Sequence, residues 1–266
     1  MQTSRLAFLY SVPIAILGGL IGLGGAEFRL PVLAGPLGYS ARRAVPLNLA
    51  VSLVTIVAAF LIRGRVLSLQ TIGPLLPAIF ALISGAVVAA FYGPSLAHKL
   101  SDERLERVIL VLLLVIGLAL IVESFLPQET AGLLPSTLFW HVCAGIVFGL
   151  GIGLVSSLLG VAGGEMIIPT LVFAFGANIK TAGTASLLIS FPTICVGLLR
   201  YAESGAFSDR QPLIETVAPM GIGSIIGAVI GGVLVGIVPV PVLKLMLGVI
   251  LIISALRIFS KSKRKH

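Results

Sequence analysis

GLGGAEFRLP at Gly22–Pro31 and GVAGGEMIIP at Gly160–Pro169 are two copies of one pattern, set 138 residues apart. Sliding the chain over itself by that offset, without a gap, pairs Gly22 with Gly160, Gly25 with Gly163, Glu27 with Glu165 and Pro31 with Pro169. The register continues through Leu33/Leu171, Gly38/Gly176, Ala44/Ala182, Leu49/Leu187, Ser52/Ser190, Thr55/Thr193, Ile56/Ile194 and Leu61/Leu199, making 12 identities across positions 22–61. Pro74/Pro212 and Gly85/Gly223 keep it further on. Shared leucines carry little weight in so apolar a chain. Shared Glu, Pro, Gly, Ser and Thr in one register mark a duplication.

Working outward, each copy interrupts an apolar run. Such runs cover approximately 6–23, 27–37, 44–62, 72–92, 105–125, 138–160, 165–176, 182–200, 213–237 and 242–259. Most approach the length of about 20 residues that a helix needs to cross a bilayer. The runs 27–37 and 165–176 do not, and each follows a longer run across the glycines. Composition agrees: of 266 residues 58% are hydrophobic and 11% charged, too few charges for a water-soluble surface. The expected fold is therefore all-α, a polytopic membrane protein whose two homologous halves each hold about five segments, one of them a short re-entrant arm. The first half spans 1–125, a linker without Lys or Arg spans 126–137, and the second half with its basic tail spans 138–266. Because the first run recurs mid-chain, it is read as a membrane segment rather than a cleaved signal peptide.

An odd number of segments per half makes the halves inverted. With a cytoplasmic N-terminus, that arrangement puts 13 of the 18 basic residues inside, including the tail Lys261, Lys263, Arg264 and Lys265. Arg63, Arg65, Lys180 and Lys244 fall outside, and Arg29 lies in an arm. Parallel halves of four spans give 10 inside and 7 outside, a weaker bias. The inverted arrangement is preferred, with both termini and the tail in the cytoplasm and the linker outside. The net charge of +8 then reports membrane orientation, not nucleic-acid binding. Cys143 and Cys195 belong to no CxxC or Cys/His cluster, so neither a disulfide, a metal nor another cofactor is expected. No G-x-x-x-x-G-K-[ST] is present.

Helices broken at matching places in inverted halves point to a transporter site, because lipid cannot satisfy the backbone groups a break exposes. Gly24, Gly25, Gly163 and Gly164 allow close backbone approach and leave N–H groups free to meet an anion; the alternative is that they are helix-packing glycines. Glu27 and Glu165 open the two short arms. They either stabilise a helix dipole or bind a proton or cation. If they take a proton beside an anionic substrate, substrate and proton would move together. Arg29 faces Ile167 in the repeat; it is a cation for substrate, a partner for Glu27, or a residue reaching the interface. Asn48, Ser52 and Thr55 match Ser186, Ser190 and Thr193, each set forming one polar stripe on a helix that lines a path or joins helices.

At these residues the chain resembles the TauE/SafE sulfite-exporter family, also called the toluene-sulfonate uptake permease family. Its mark is a glycine-rich G-x-G-G-(G)-x-x-x-x-P stretch near the start of each of two halves, and the resemblance covers essentially the whole chain. Gly24 stands against Ala162 and Ala26 against Gly164, so neither copy has a glycine triplet. The resemblance implies an inner-membrane carrier, often an exporter, of small sulfur-containing anions such as sulfite or organosulfonates. It implies no enzyme activity. The competing expectations are a polyprenyl-phosphate translocase, which also needs a phosphate-binding cavity, and a membrane phosphatase, which needs more clustered carboxylates than Glu27 and Glu165.

Overall fold

In a computed structural model the chain is described at residues 2–97, 132–135, 137–159 and 162–263, with isolated positions between 114 and 125. The expected segment 105–125 and the linker 126–137 fall largely outside the described residues. Elsewhere the chain is helical, with no strand among the described residues. The first half contains α1 (Gln2–Ile21), α2 (Ala26–Ala34), α3 (Ala41–Val66) and α4 (Leu76–Ala97). The second contains α5 (Leu138–Leu159), α6 (Gly164–Pro169), α7 (Ile179–Glu203), α8 (Ala218–Ile237) and α9 (Val240–Lys263). Among the described residues six stretches are long and apolar enough to cross a membrane, and α6 with its continuation to Ala174 is a shorter apolar helix. The protein is an all-α polytopic membrane protein.

Local chemistry explains the matched glycines. Gly25 and Gly163 have φ of 74° and 76°, which turns the chain from the break into each arm. Each then accepts the arm's first bonds: Arg29 N–H donates to Gly25 O at 3.2 Å, and Ile167 N–H to Gly163 O at 3.0 Å. The arms also end alike. Gly38 and Gly176 are left-handed, and Tyr39 N–H to Leu33 O matches Ala177 N–H to Leu171 O, both at 2.9 Å. Each bond reaches back six residues around the left-handed glycine, one residue further than the six-to-one bond of a standard left-handed helix end. After Pro169 and Pro212, which cannot donate to the ladder, the helix widens into a π turn at Thr170–Ala174 and Leu213–Val217.

Helix directions follow from which residues touch. On α8, Gly223 packs on Phe8, Gly227 on Ala15 and Ile16, and Gly231 on Leu20, so α1 and α8 run parallel. On α5, Gly145 packs on Ala81, Gly149 on Leu82 and Ala86, and Gly153 on Ala86, so α4 and α5 run parallel. The first helix of each half thus packs against the fourth helix of the other. Small residues permit this backbone-close packing, the main source of helix association in lipid. α3 also runs parallel to α8, with Val54 at Gly221, Ile62 at Gly232 and Val66 at Gly236. Against α7 it is antiparallel: Arg63 meets Lys180 and Thr184, whereas Leu49 meets Gly197.

Two conclusions follow. α1 and α3 point the same way, so α2 must come back toward the N-terminal face, as a re-entrant arm does. Equivalent helices α3 and α7 point oppositely, so the halves are inverted. Of the four basic residues expected outside, Arg63 and Lys244 are buried, at 0% and 6% exposure, and are not loop charges at all.

Candidate functional site

The two breaks meet at the junction of α1, α3, α5 and α7. A β-carbon on Gly24 would lie 3.6 Å from the Ala162 Cβ, and one on Gly164 would lie 3.0 Å from the Leu23 Cα. Gly22 packs directly on the Gly183 backbone of α7. Gly24, Gly25, Gly163 and Gly164 are all buried. The breaks face one another as backbone packed on backbone, and the open space lies beside them.

Arg29 reaches from α2 to α3 and is fully buried. Its Nη1 donates to Ser52 Oγ at 2.9 Å and Asn48 Oδ1 at 3.5 Å; its Nη2 donates to Thr55 Oγ1 at 3.0 Å and Gly24 O at 3.3 Å. Asn48 Nδ2 donates to Ala26 O at 3.0 Å, tying the same helix to the start of the arm. The first-half stripe and Arg29 therefore serve each other: the guanidinium supplies five donors and three side chains give it acceptors. Interfacial snorkelling does not occur, and no ion pair joins Arg29 to Glu27 among the described residues.

The second-half stripe has no such guest, since Ile167 stands where Arg29 does. Ser190 Oγ donates to Ala162 O at 2.8 Å, holding the second break against α7. Thr193 Oγ1 donates back to Ile189 O at 3.0 Å, leaving acceptor capacity free. The Ser186 hydroxyl is buried without a hydrogen-bond partner among the described residues, 3.2 Å from where a β-carbon of Gly164 would stand.

A cavity of about 170 Å³ reaches this stripe at its Thr193 end. Thr193 and Ser156 line its depth, and Arg200, Tyr201 and Ser204 lie toward the N-terminal face. Arg200 sits over the Phe91 ring at 4.8 Å and pairs with Glu203 at 3.1 Å. Glu27 is set near the breaks, within electrostatic reach of Glu165 and Arg29. Both its carboxylate oxygens are buried without a hydrogen-bond partner among the described residues. Glu165 is buried at 8% exposure. The structure thus gathers Arg29, Asn48, Ser52 and Thr55 into one knot in the first half, whereas of the residues predicted in the second half Thr193 lines the cavity and Gly163, Gly164, Glu165, Ser186 and Ser190 do not.

Sequence reasoning missed Arg63, which it counted only as a charge on the wrong side. It lies buried at the far end of α3 and makes four hydrogen bonds to α1 and α7. The available signal was its place inside a run apolar enough to span, Arg43–Val66, where a charge is costly and functional by default.

Comparison with known proteins adds one finding. A family model described as sulfite exporter TauE/SafE matches residues 1–120 and 144–266. No curated protein matches the chain.

Proposed function

Because the chain belongs to the sulfite exporter TauE/SafE family, we propose that it is a secondary carrier that exports small sulfur-containing anions, sulfite or organosulfonates, across the cytoplasmic membrane. The observation that carries this reading is the cavity that runs from the N-terminal face past Arg200 to Thr193 and Ser156, where the Ser156 Cβ lies 3.6 Å from the place of a β-carbon on Gly163 of the second break. Hydroxyls there can replace part of an oxyanion's hydration by turning their protons from the carbonyls to which they now donate, Ile189 O for Thr193 and Tyr201 O for Ser204, and Arg200 near the mouth attracts negative charge. The N-terminal face is the cytoplasmic one. With Arg63 and Lys244 buried, Arg65 and Lys180 are what remains of the positive charge expected outside.

Glu27 and Glu165 are the proposed proton sites. An ionised Glu27 without a side-chain donor or an ion-paired cation is costly in a buried place, and it repels an anion nearby. Protonation removes both costs at once, which couples substrate binding to proton binding. For a monoanion such co-movement is electroneutral. Without it, an inside-negative potential drives the anion outward with about 2.3 kcal/mol per 100 mV. Flux under an imposed potassium diffusion potential separates the two modes: a voltage-independent rate supports coupling, and a voltage-driven one refutes it.

Substrate identity is tested in proteoliposomes loaded with radiolabelled sulfite, an organosulfonate or a polyprenyl phosphate. Saturable movement of the sulfur anions is expected. Movement of the polyprenyl phosphate alone would replace this reading with a lipid-carrier translocase. A cavity of about 170 Å³ favours the small anion.

A further inference from the structure

Arg63 is wholly enclosed near the face opposite the N-terminus. Its Nη1 donates to Gly19 O at 3.0 Å and Leu20 O at 2.8 Å, carbonyls in the last turn of α1, where the break removes helical partners. Its Nη2 donates to Lys180 O at 2.8 Å and its Nε to Thr184 Oγ1 at 3.0 Å, both in the first turns of α7. One guanidinium, carried by α3, therefore ties the broken end of the first half to a helix of the second. A cleft of about 300 Å³ from the opposite face is lined by Lys180, Thr181 and Thr184, so it reaches the hydroxyl that Arg63 holds.

The repeat offset of 138 pairs Arg63 with Tyr201. Around Tyr201 the protein is open, and the cavity of the N-terminal face reaches in past Gly197 to Thr193. Around Arg63 the equivalent positions Thr55 and Ala59 are fully buried. There Gly232 and Gly236 of α8 close on Ile62 and Val66, and added β-carbons would stand only 2.8 and 2.7 Å from those side chains. A fold built from two equivalent halves is open at one site and shut at its counterpart. The halves differ at that place by an arginine against a tyrosine.

We propose that Arg63 is the pin that holds the far face closed. It is a positioning residue, and the carrier reaches its opposite-facing state only when the guanidinium leaves Lys180 and Thr184. This rests on the transporter reading above but not on which anion is carried. In an inverted-repeat carrier one half rocks against the other around a fixed site, so opening the far face uncovers the region of Ala59 while the region of Gly197 shuts.

The test places single cysteine reporters at Gly197 and Ala59 in the full chain, with Cys143 and Cys195 replaced by alanine. Sealed vesicles are treated with a membrane-impermeant thiol reagent from either side. With Arg63 present, Gly197→Cys is modified from the N-terminal face and Ala59→Cys is protected. Arg63→Gln is expected to raise modification of Ala59→Cys from the opposite face about tenfold, as a shift of about 1.4 kcal/mol between two states gives, and to lower that of Gly197→Cys. Arg63→Lys keeps the charge without the planar fork and falls between the two. If Arg63→Gln does not yield folded protein, Thr184→Val decides, because it removes one acceptor and should produce a smaller shift in the same direction. Protection of Ala59→Cys that is unchanged in the deciding variant overturns the pin, even where transport is lost. A labelling shift without sulfite transport leaves the pin standing and removes only the substrate assignment.

Discussion

Gly22→Ala should be the most damaging single-methyl change at the paired breaks. Gly22 has φ 99°, a conformation that L residues rarely adopt. Forcing alanine there costs roughly 1–2 kcal/mol. The added β-carbon would also stand 2.6 Å from both the carbonyl carbon and the Cα of Gly183. These are backbone atoms with no rotamer to turn away, and Arg63 holds the same turn of α7 through Lys180 O and Thr184 Oγ1. Overpacking of this kind adds about 1–3 kcal/mol, for a total of about 2–5 kcal/mol. Gly164→Ala is the graded control. No positive φ is required there, and the new β-carbon meets the Leu23 Cα at 3.0 Å, which a shift of a few tenths of an ångström relieves at a cost of about 1 kcal/mol. Gly197→Ala meets nothing closer than the Leu49 Cδ1 at 3.7 Å and should be silent. Thermal unfolding in one detergent, followed by circular dichroism, ranks the three. With about 2–4 °C per kcal/mol for a chain of this size, Gly22→Ala should lie about 10 °C below the parent and clearly below Gly164→Ala. Equal melting temperatures for those two variants would refute the backbone-on-backbone packing of the breaks.

Arg29→Ile, which installs the residue found at position 167, should change stability by less than about 2 kcal/mol, because an apolar replacement removes the buried charge together with its need for acceptors. Ser52 and Thr55 would still donate to Asn48 O and Val51 O; unfolding of that variant in mild detergent would show that the knot is indispensable. Thr55→Val and Thr193→Val make the same change in the two halves and should act differently. The first lowers the melting temperature by removing an acceptor from Arg29; the second spares it and lowers anion flux, and identical behaviour would remove the distinction between knot and pathway. Glu27→Gln and Glu165→Gln should each flatten the dependence of flux on pH, measured in proteoliposomes between pH 5 and 8; a parental pH profile in both would end the proton-coupling proposal.

The inverted topology was legible because its demands are repeated. Gly25/Gly163 and Gly38/Gly176 recur at one offset since each pair must take positive φ at the start and end of a re-entrant arm. A backbone requirement of that kind stays visible in a chain of unspecific leucines. The mismatch of Gly24 with Ala162 is legible only afterwards: Gly24 has φ 80°, whereas no residue other than glycine has a positive φ among the described residues. Long-range partnerships were the part that could not be read. Nothing local to Arg63 announces that the end of α1 and the start of α7 will bring four acceptors around it. Nothing in the spacing of Asn48, Ser52 and Thr55 says that Arg29 will occupy them. A polar stripe is the same pattern whether it serves a substrate or a side chain, and only the third dimension distinguishes the two.

The two arginines buried among the described residues both belong to the first half, and this bears on how a duplicated fold acquires a direction. A strictly two-fold protein would have two equivalent stripes and two equivalent gates, hence no preferred pathway. Here Arg29 fills one stripe, while Ile167 leaves the other to the cavity. Arg63 closes one face, while Tyr201 leaves the other open. Each guanidinium must give up water to lie where it does, and several kcal/mol of that cost are recovered only if nearly every donor finds an acceptor. The four bonds of Arg63 and the four of Arg29 answer most of that demand in the present arrangement, with the Arg29 Nε left without an acceptor among the described residues. Any alternative arrangement must supply an equivalent set or let water in. The first half is thereby committed to its own arginines, and the second, whose Thr193 hydroxyl would have to turn from Ile189 O toward the cavity, is the half proposed to receive the anion.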